Sequence, residues 1–156
     1  MVLTYAFAEL RGYVPRGTPV RAQMMQWHMF LGLLLLLWVM PRITLGLTQP
    51  VPPIVPAPTR VVEWLAKLSH IVLYAFMIVQ PLLGVVLTQA GERAIGIPFT
   101  DLSLPVLIGP DKVLHEQAED LHVWLGKAFY FVIGAHVLAA FWHHSLRKDT
   151  TLRRML

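Results

Sequence analysis

The 156-residue chain contains no cysteine and has few charged residues. Without thiolates it cannot form disulfides, iron–sulfur clusters, cysteine-ligated zinc sites or the covalent attachment of c-type haem. Charged residues make up 14% of the chain, against about 25% in soluble domains. Hydrophobic residues make up 56%, and the mean hydropathy is +0.58. This composition excludes a soluble enzyme, a disordered chain and a nucleic-acid-binding protein, and it predicts a single domain embedded in membrane lipid.

Three largely apolar segments are long enough to cross a bilayer as helices, which takes about 20 residues. They are residues 22–40, 61–89 and 119–144. Residues 1–10 are apolar but too short to span alone, so we interpret them as a partial helix. The pattern predicts an all-α, multi-pass helical bundle with three full transmembrane helices after a short first helix.

The segments between the spans are expected to be loops. Pro41 and Arg42 should end the first full span, because proline at the density found in 41–60 favours an extended chain. Residues 90–118 form a long polar segment. By the positive-inside rule, the slight excess of cations on one side predicts that the 41–60 loop and the C-terminus are cytoplasmic and that 90–118 is periplasmic. The predicted cytoplasmic side carries seven cations: Arg42, Arg60, Lys67, Arg147, Lys148, Arg153 and Arg154. The predicted periplasmic side carries five: Arg11, Arg16, Arg21, Arg93 and Lys112.

Histidines occur at two depths in these spans. His28 and His122 are near the outer ends of their helices, whereas His70 and His136 are nearer the other surface. His122 and His136 are 14 residues apart, so they leave one helix on nearly the same face, about 21 Å apart. Imidazoles from facing helices at one depth suit the two axial positions of a b-type haem. The spacing predicts an outer pair, His28 with His122, and an inner ligand, His136, whose partner stays open.

Small residues support the outer pair. Gly32 is four residues after His28, and Gly126 is four residues after His122. Residues at this spacing share a helix face, so each glycine removes a side chain that would block a porphyrin edge. A bulky residue occupies the same spacing after His70, which makes His70 the weaker candidate ligand and leaves a structural role open for it.

The remaining candidates have competing interpretations. His115 is expected to be exposed in the polar loop. His143 and His144 end the last span, where they either complement the helix dipole or, with Arg60, border a quinone site. Lys127 lies inside the last span and either extends toward the lipid surface or meets a haem propionate.

An ordered set of motifs resembles one family over nearly the whole chain. The set comprises Arg11-Gly12 with Pro15-Arg16, His28 with Gly32, Pro52-Pro53-Ile54-Val55-Pro56, Leu65-Ala66 with His70 and Tyr74, Pro81 with Gly84, Tyr130-Phe131-Val132-Ile133-Gly134-Ala135-His136, His143-His144, and Lys148-Asp149. With these motifs the chain resembles the bacterial cytochrome b561 family, which is related to the cytochrome b subunits of nickel–iron hydrogenases.

The resemblance implies a four-helix membrane bundle that binds two b haems and exchanges electrons with quinone. In the branch that the chain most resembles, superoxide is oxidised on the periplasmic side of the bacterial inner membrane and ubiquinone is the acceptor. The implied haem ligands are His28, His122 and His136. Arg11, Arg16 and Arg21 flank the outer face and could steer an anionic donor.

The resemblance also implies a His-Trp pair on the first helix, with its histidine opposite His136. No such residue is present, so we expect either that the chain begins part-way through that helix or that the helix is vestigial. In the second case His70 substitutes or the inner haem is absent. An accessory or electron-conduit subunit of a larger respiratory complex is the alternative function. A metal transporter is disfavoured, since the acids near the spans lie at their ends: Glu9, Glu63 and Glu119.

Overall fold

The computed structural model describes residues 1–50 and 54–147. In these ranges the chain forms four α-helices, which are α1 (Val2–Leu10), α2 (Pro19–Thr48), α3 (Arg60–Ala90) and α4 (Lys112–Ser145). The last three are long and apolar enough to cross a membrane. The predicted all-α fold, with three full spans after a short helix, is confirmed.

Some residues named in the sequence analysis lie outside the described ranges. They belong to the proline-rich loop and to the basic C-terminal tail: Pro52, Pro53, Lys148, Asp149, Arg153 and Arg154. A 3₁₀ turn at Arg11–Tyr13 joins α1 to the segment before α2.

Each long helix begins at a side chain that caps its first turn. The Thr18 hydroxyl accepts from the Arg21 N–H before α2, and the Thr59 hydroxyl accepts from the Val62 N–H before α3. The Asp111 carboxylate accepts from the Leu114 N–H at 3.0 Å before α4. Such caps satisfy N–H groups that have no partner inside the helix, so local sequence chemistry fixes where all three spans begin.

Helix α2 extends past the proline at which we expected it to end. Pro41 lies inside the helix, which continues to Thr48. The prediction that Pro41 and Arg42 end the span, and that 41–60 is a loop throughout, is therefore wrong for 41–48. In lipid every backbone polar group needs an internal partner, and this requirement keeps an apolar segment helical on both sides of a proline.

Helix α4 begins seven residues earlier than its apolar run suggests. The helix includes His115, and the loop before it covers 91–111 rather than 90–118. The expectation that His115 is exposed in a loop is wrong. Its side chain is 19% exposed, and its Nδ1 donates to the Leu87 carbonyl at 2.6 Å. The cap at Asp111 begins the helix in polar sequence, before hydrophobicity can signal it.

Helix α3 is the centre of the bundle. It packs against both α2 and α4, whereas in the described residues the backbones of α2 and α4 do not approach each other closely. Phe76 of α3 and Phe129 of α4 are both buried. Their rings stack with centroids 3.6 Å apart and planes 13° from parallel. Phe129 is seven residues from both His122 and His136, so this apolar contact lies midway between the two histidine depths.

A buried glutamine fastens the loop at the outer end of the bundle. Gln89 is 4% exposed, and its Nε2 donates to the Pro105 carbonyl at 2.8 Å. Its Oε1 accepts from the N–H groups of Leu107 and Ile108 at 2.9 and 3.2 Å. Ile95 of the same loop is 2% exposed. The loop is therefore held down over the bundle.

The short helix α1 is attached to both flanking spans by aromatic side chains. The Tyr5 hydroxyl donates to the Gly126 carbonyl of α4 at 2.9 Å, and its ring lies 4.7 Å from that of Tyr130. Phe7 stacks on Trp27 of α2 at 6.2 Å. These contacts hold α1 beside α2 and α4 at the outer level.

We expect Gly91→Ala to destabilise the protein by about 1–3 kcal/mol, because the added Cβ overpacks a rigid site. That Cβ would lie 2.7 Å from His115 Nδ1 and 3.1 Å from the Leu87 carbonyl oxygen, and these two atoms already bond to each other. Thermal unfolding in detergent measures the loss. Gly46→Ala is the matched control, since its Cβ meets nothing within 4 Å. Adding His115→Ala should restore most of the loss, and a Gly91→Ala protein as stable as wild type would contradict the packing.

Candidate functional site

Two histidines face each other across the bundle at the outer level. His28 of α2 and His122 of α4 have ring centroids 6.2 Å apart, with planes at 79°. Because α2 and α4 are separated by α3 and do not pack together, the rings meet across a slot rather than across a packed helix interface. The structure thus brings together the outer pair that the spacing predicts.

Backbone carbonyls fix the orientation of both rings. The Nδ1 atom of His28 lies 2.9 Å from the Thr4 carbonyl oxygen of α1, and that of His122 lies 3.1 Å from the Gln80 carbonyl oxygen of α3. A carbonyl only accepts, so each Nδ1 carries the proton and donates. Each Nε2 then has a free lone pair, which is the orientation found in metal-ligating histidines.

Gln80 and Gly84 of α3 hold His122 in place. The Gln80 Nε2 donates to the His122 carbonyl at 2.8 Å, so the two residues exchange hydrogen bonds in both directions. A Cβ on Gly84 would lie 3.4 Å from His122 Cε1. Sequence reasoning missed Gln80, although an amide inside an apolar run is a usable signal. It also missed Thr4, because the contact with His28 is made by the Thr4 backbone carbonyl, which every residue type carries.

The outer pair borders a cavity of about 290 Å³. Both histidines, Gly32 and Gly126 line it, and a Cβ on Gly32 would meet nothing within 4 Å. The cavity is at the small end of ligand pockets, which measure about 300–1,000 Å³. Two buried polar atoms, Arg11 Nε and Gln80 Oε1, have no partner in the described part of the chain. Both residues line this cavity.

The donor set fits an axially coordinated macrocycle rather than a bare metal ion. No group of three or more His, Cys, Asp or Glu side chains that could hold a metal ion occurs in residues 1–50 and 54–147. Two imidazoles therefore suit a metal whose other ligands come from elsewhere. With about 2 Å for each metal–nitrogen bond, one metal atom between two rings places their centres about 6 Å apart. The observed 6.2 Å satisfies this requirement.

The inner pair has less room. His70 of α3 and His136 of α4 have ring centroids 5.4 Å apart, which is 0.8 Å closer than the 6.2 Å of the outer pair. Their helices pack directly against each other, so no slot separates the rings. His70 is exposed, and Ser69 Oγ lies 3.5 Å from His136 Nδ1. The rings would have to separate before a metal fitted between them.

The residues suggested for a quinone site lie at the same end of the bundle as the inner pair. Arg60 is the first residue of α3, while His143 and His144 lie in the last turn of α4. Because α3 and α4 pack together and run in opposite directions, the start of α3 lies at the same end of the bundle as the end of α4. Arg60 and His144 are exposed, and His143 is half-buried.

Comparison with known proteins identifies relatives over most or all of the chain. The family model described as prokaryotic cytochrome b561 matches residues 1–156. A Yersinia pestis protein named "Probable superoxide oxidase CybB" is 34% identical over 156 residues, covering 100% of this chain and 86% of the relative. The Escherichia coli K12 protein "Cytochrome b561 homolog 1" is 30% identical, covering 100% of this chain and 88% of the relative. "Cytochrome b561 homolog 2" of the same strain is 26% identical over 129 residues.

We expect graded effects from enlarging Gly84. Gly84→Ala should retain haem, because its Cβ makes an ordinary contact with the His122 ring at 3.4 Å. Gly84→Leu should displace that ring and lower the haem content at least several-fold. Haem absorbance per purified chain is the measurement, and Gly46→Leu is the control, since an added Cβ there has no atom within 4 Å and no candidate ligand is nearby in the sequence. Equal haem content in Gly84→Leu and wild type would show that the ring position is unimportant.

Proposed function

The chain belongs to the prokaryotic cytochrome b561 family, and from this premise we propose that it passes electrons from a superoxide-like donor to membrane quinone through haem b. The family consists of b-type membrane cytochromes, so haem b and a bacterial membrane location follow from membership. The observation that carries the proposal is the outer pair, His28 and His122, whose Nδ1 atoms are occupied by carbonyls and whose centroids are 6.2 Å apart.

The proposed reaction balances without any other reactant. Each superoxide ion loses one electron and becomes dioxygen. Two such electrons, with two protons from the solvent, convert one ubiquinone to ubiquinol. When bound, haem b supplies a reversible one-electron centre. The protein holds the two imidazoles in place, keeps the slot free of side chains at Gly32 and Gly126, and separates the donor from the acceptor by the thickness of the bundle.

Cations at the outer face favour an anionic donor. Arg16 is exposed, and Arg11 borders the cavity. Arg21 has a structural task, since its Nη1 donates to the carbonyls of Arg11 at 2.6 Å and Val14 at 2.7 Å. It thus closes the turn between α1 and α2. Steering therefore rests mainly on the exposed Arg16, while Arg11 borders the cavity together with Glu119.

The electron acceptor is proposed to bind at the end of the bundle opposite the outer histidine pair. We assign ubiquinone to the end that carries Arg60, His143 and His144, and this end with the C-terminus to the cytoplasmic side of the inner membrane. His136 is offered as the ligand of a second haem, with His70 as its partner if the two rings separate. The cation excess on this side supports the orientation.

Substituting the outer histidines tests the ligand assignment. His28→Ala or His122→Ala should remove one haem per chain, because a haem needs both axial nitrogens here. The measurement is the redox absorption spectrum of the purified chain with haem counted per polypeptide. His115→Ala is the control, since His115 does not line the cavity. A wild-type chain without haem would contradict the proposed function. Haem retained in both variants would show that His28 and His122 are not the ligands.

Superoxide supplied to the purified protein should reduce the haem and then ubiquinone, and superoxide dismutase should abolish both steps. A chain that keeps haem but reduces quinone only in the presence of other respiratory proteins would instead be an electron-conduit subunit, which is the alternative function.

Raising the salt concentration should slow reduction of the haem by superoxide several-fold. Attraction between an anion and surface cations weakens as the screening length falls from about 30 Å at 0.01 M salt to about 8 Å at 0.15 M. Stopped-flow absorbance measures the rate, and reduction by an uncharged hydroquinone is the control that should change little. A superoxide rate independent of salt would exclude steering by the outer arginines.

A further inference from the structure

Arg11 is a cation whose side chain has one buried N–H group without a hydrogen-bond partner in the described part of the chain. It lies in the 3₁₀ turn after α1 and borders the outer cavity. Its Nη1 lies 2.9 Å from Met25 Sδ, a weak acceptor. Its Nε is buried and has no partner in the described part of the chain. A buried donor without a partner costs about 1–3 kcal/mol, so this group is poised for a ligand that the protein itself does not supply.

The charges around Arg11 would also favour the binding of an anion. Burial lowers the pKa of its guanidinium, and the positive charges of Arg21 and Arg93 lower it further. Glu119 is the carboxylate that acts in the opposite direction, and its side chain is 55% exposed. The two neighbouring cations outnumber Glu119 around Arg11, so a further negative charge would stabilise the group.

The cavity is the place where that charge fits. Arg11, Glu119 and His28 all line it. An anion that reaches Arg11 Nε from inside the cavity therefore lies beside the outer histidine pair. Haem b carries two propionate carboxylates on one edge of its ring, and a guanidinium binds carboxylates with charge-assisted hydrogen bonds.

We propose that Arg11 binds a propionate carboxylate of the outer haem and so fixes which edge of the macrocycle faces the outer surface. This inference rests on the proposed function, since it requires haem between His28 and His122. Arg11 is a positioning residue in this role. Lys127 also borders the cavity, but its side chain is exposed, whereas Arg11 Nε is buried and has no partner in the described part of the chain.

The carboxylate should make the redox potential of the haem depend on Arg11. A cation beside the haem favours the reduced state, so its removal should lower the midpoint potential. It should also raise the pKa of the propionate, so that the potential rises as the pH falls through the mildly acidic range. The charged or titratable groups around this position are Arg21 and Arg93, Glu119 of α4, Glu9 and Tyr5 of α1, the Met1 amino group, His28, His122, Lys127 and Tyr130.

The first test compares Arg11→Gln with Arg16→Gln in the full, haem-loaded chain. The two variants make the same charge change, but Arg16 is exposed and does not line the cavity. Arg11→Gln should lower the midpoint potential, make it pH-dependent, and release haem to an excess of apomyoglobin about tenfold faster, as expected for the loss of one charged hydrogen bond. Arg16→Gln should do none of these. Identical behaviour of the two variants overturns the proposal.

The second test changes the ligand instead of the protein, which covers the case that Arg11→Gln fails to fold. Wild-type chain reconstituted with haem dimethyl ester should release it about tenfold faster than haem b, and Arg11→Gln should add nothing further. If Arg11→Gln has its full effect with the ester too, the anion at Arg11 comes from solution and the proposal is wrong. A wild-type chain that binds no haem at all overturns the proposed function itself, an outcome distinct from both.

Discussion

Because α2 and α4 both pack against α3 and not against each other, a slot stays open between two helices that carry facing histidines. An interior filled by side chains would close such a slot, since apolar interiors pack to high density. Here glycines remove side chains on the slot side of α2 and α4, and α3 supplies the spacing. The same glycines that weaken packing at the outer level thus leave a cavity of about 290 Å³ beside the two histidines.

Ring orientation at the outer site comes from backbone atoms rather than from side chains. The Thr4 carbonyl orients His28, and the Gln80 carbonyl orients His122. A carbonyl can only accept, so in the neutral ring it favours the tautomer that carries its proton on Nδ1. This arrangement gives α1 a function despite its nine residues. The aromatic contacts of Tyr5 and Phe7 position α1, and α1 in turn positions a histidine on the neighbouring span.

Hydropathy could predict the fold class and the three spans, because an apolar run long enough to cross a bilayer is visible in the sequence. The depth of each histidine within its span could predict the pairing of His28 with His122. These two signals could not predict the end of α2, because the proline rule for water-soluble helices was applied to Pro41. They also misplaced the start of α4 and with it His115, although Asp111 is a capping residue visible in the sequence. The carbonyl of Thr4 and the unpaired Nε of Arg11 depend on tertiary placement and leave no trace in the pattern.

The stacked pair of Phe76 and Phe129 lies midway between the two histidine depths. Two phenyl rings in contact offer no donor or acceptor, so they give no support to hydrogen-bonded water where α3 meets α4 at that depth. An electron can tunnel past such a contact, whereas a proton needs a continuous polar path. The aromatic pair therefore places a layer without hydrogen-bonding groups between the two histidine levels, at the contact of α3 with α4.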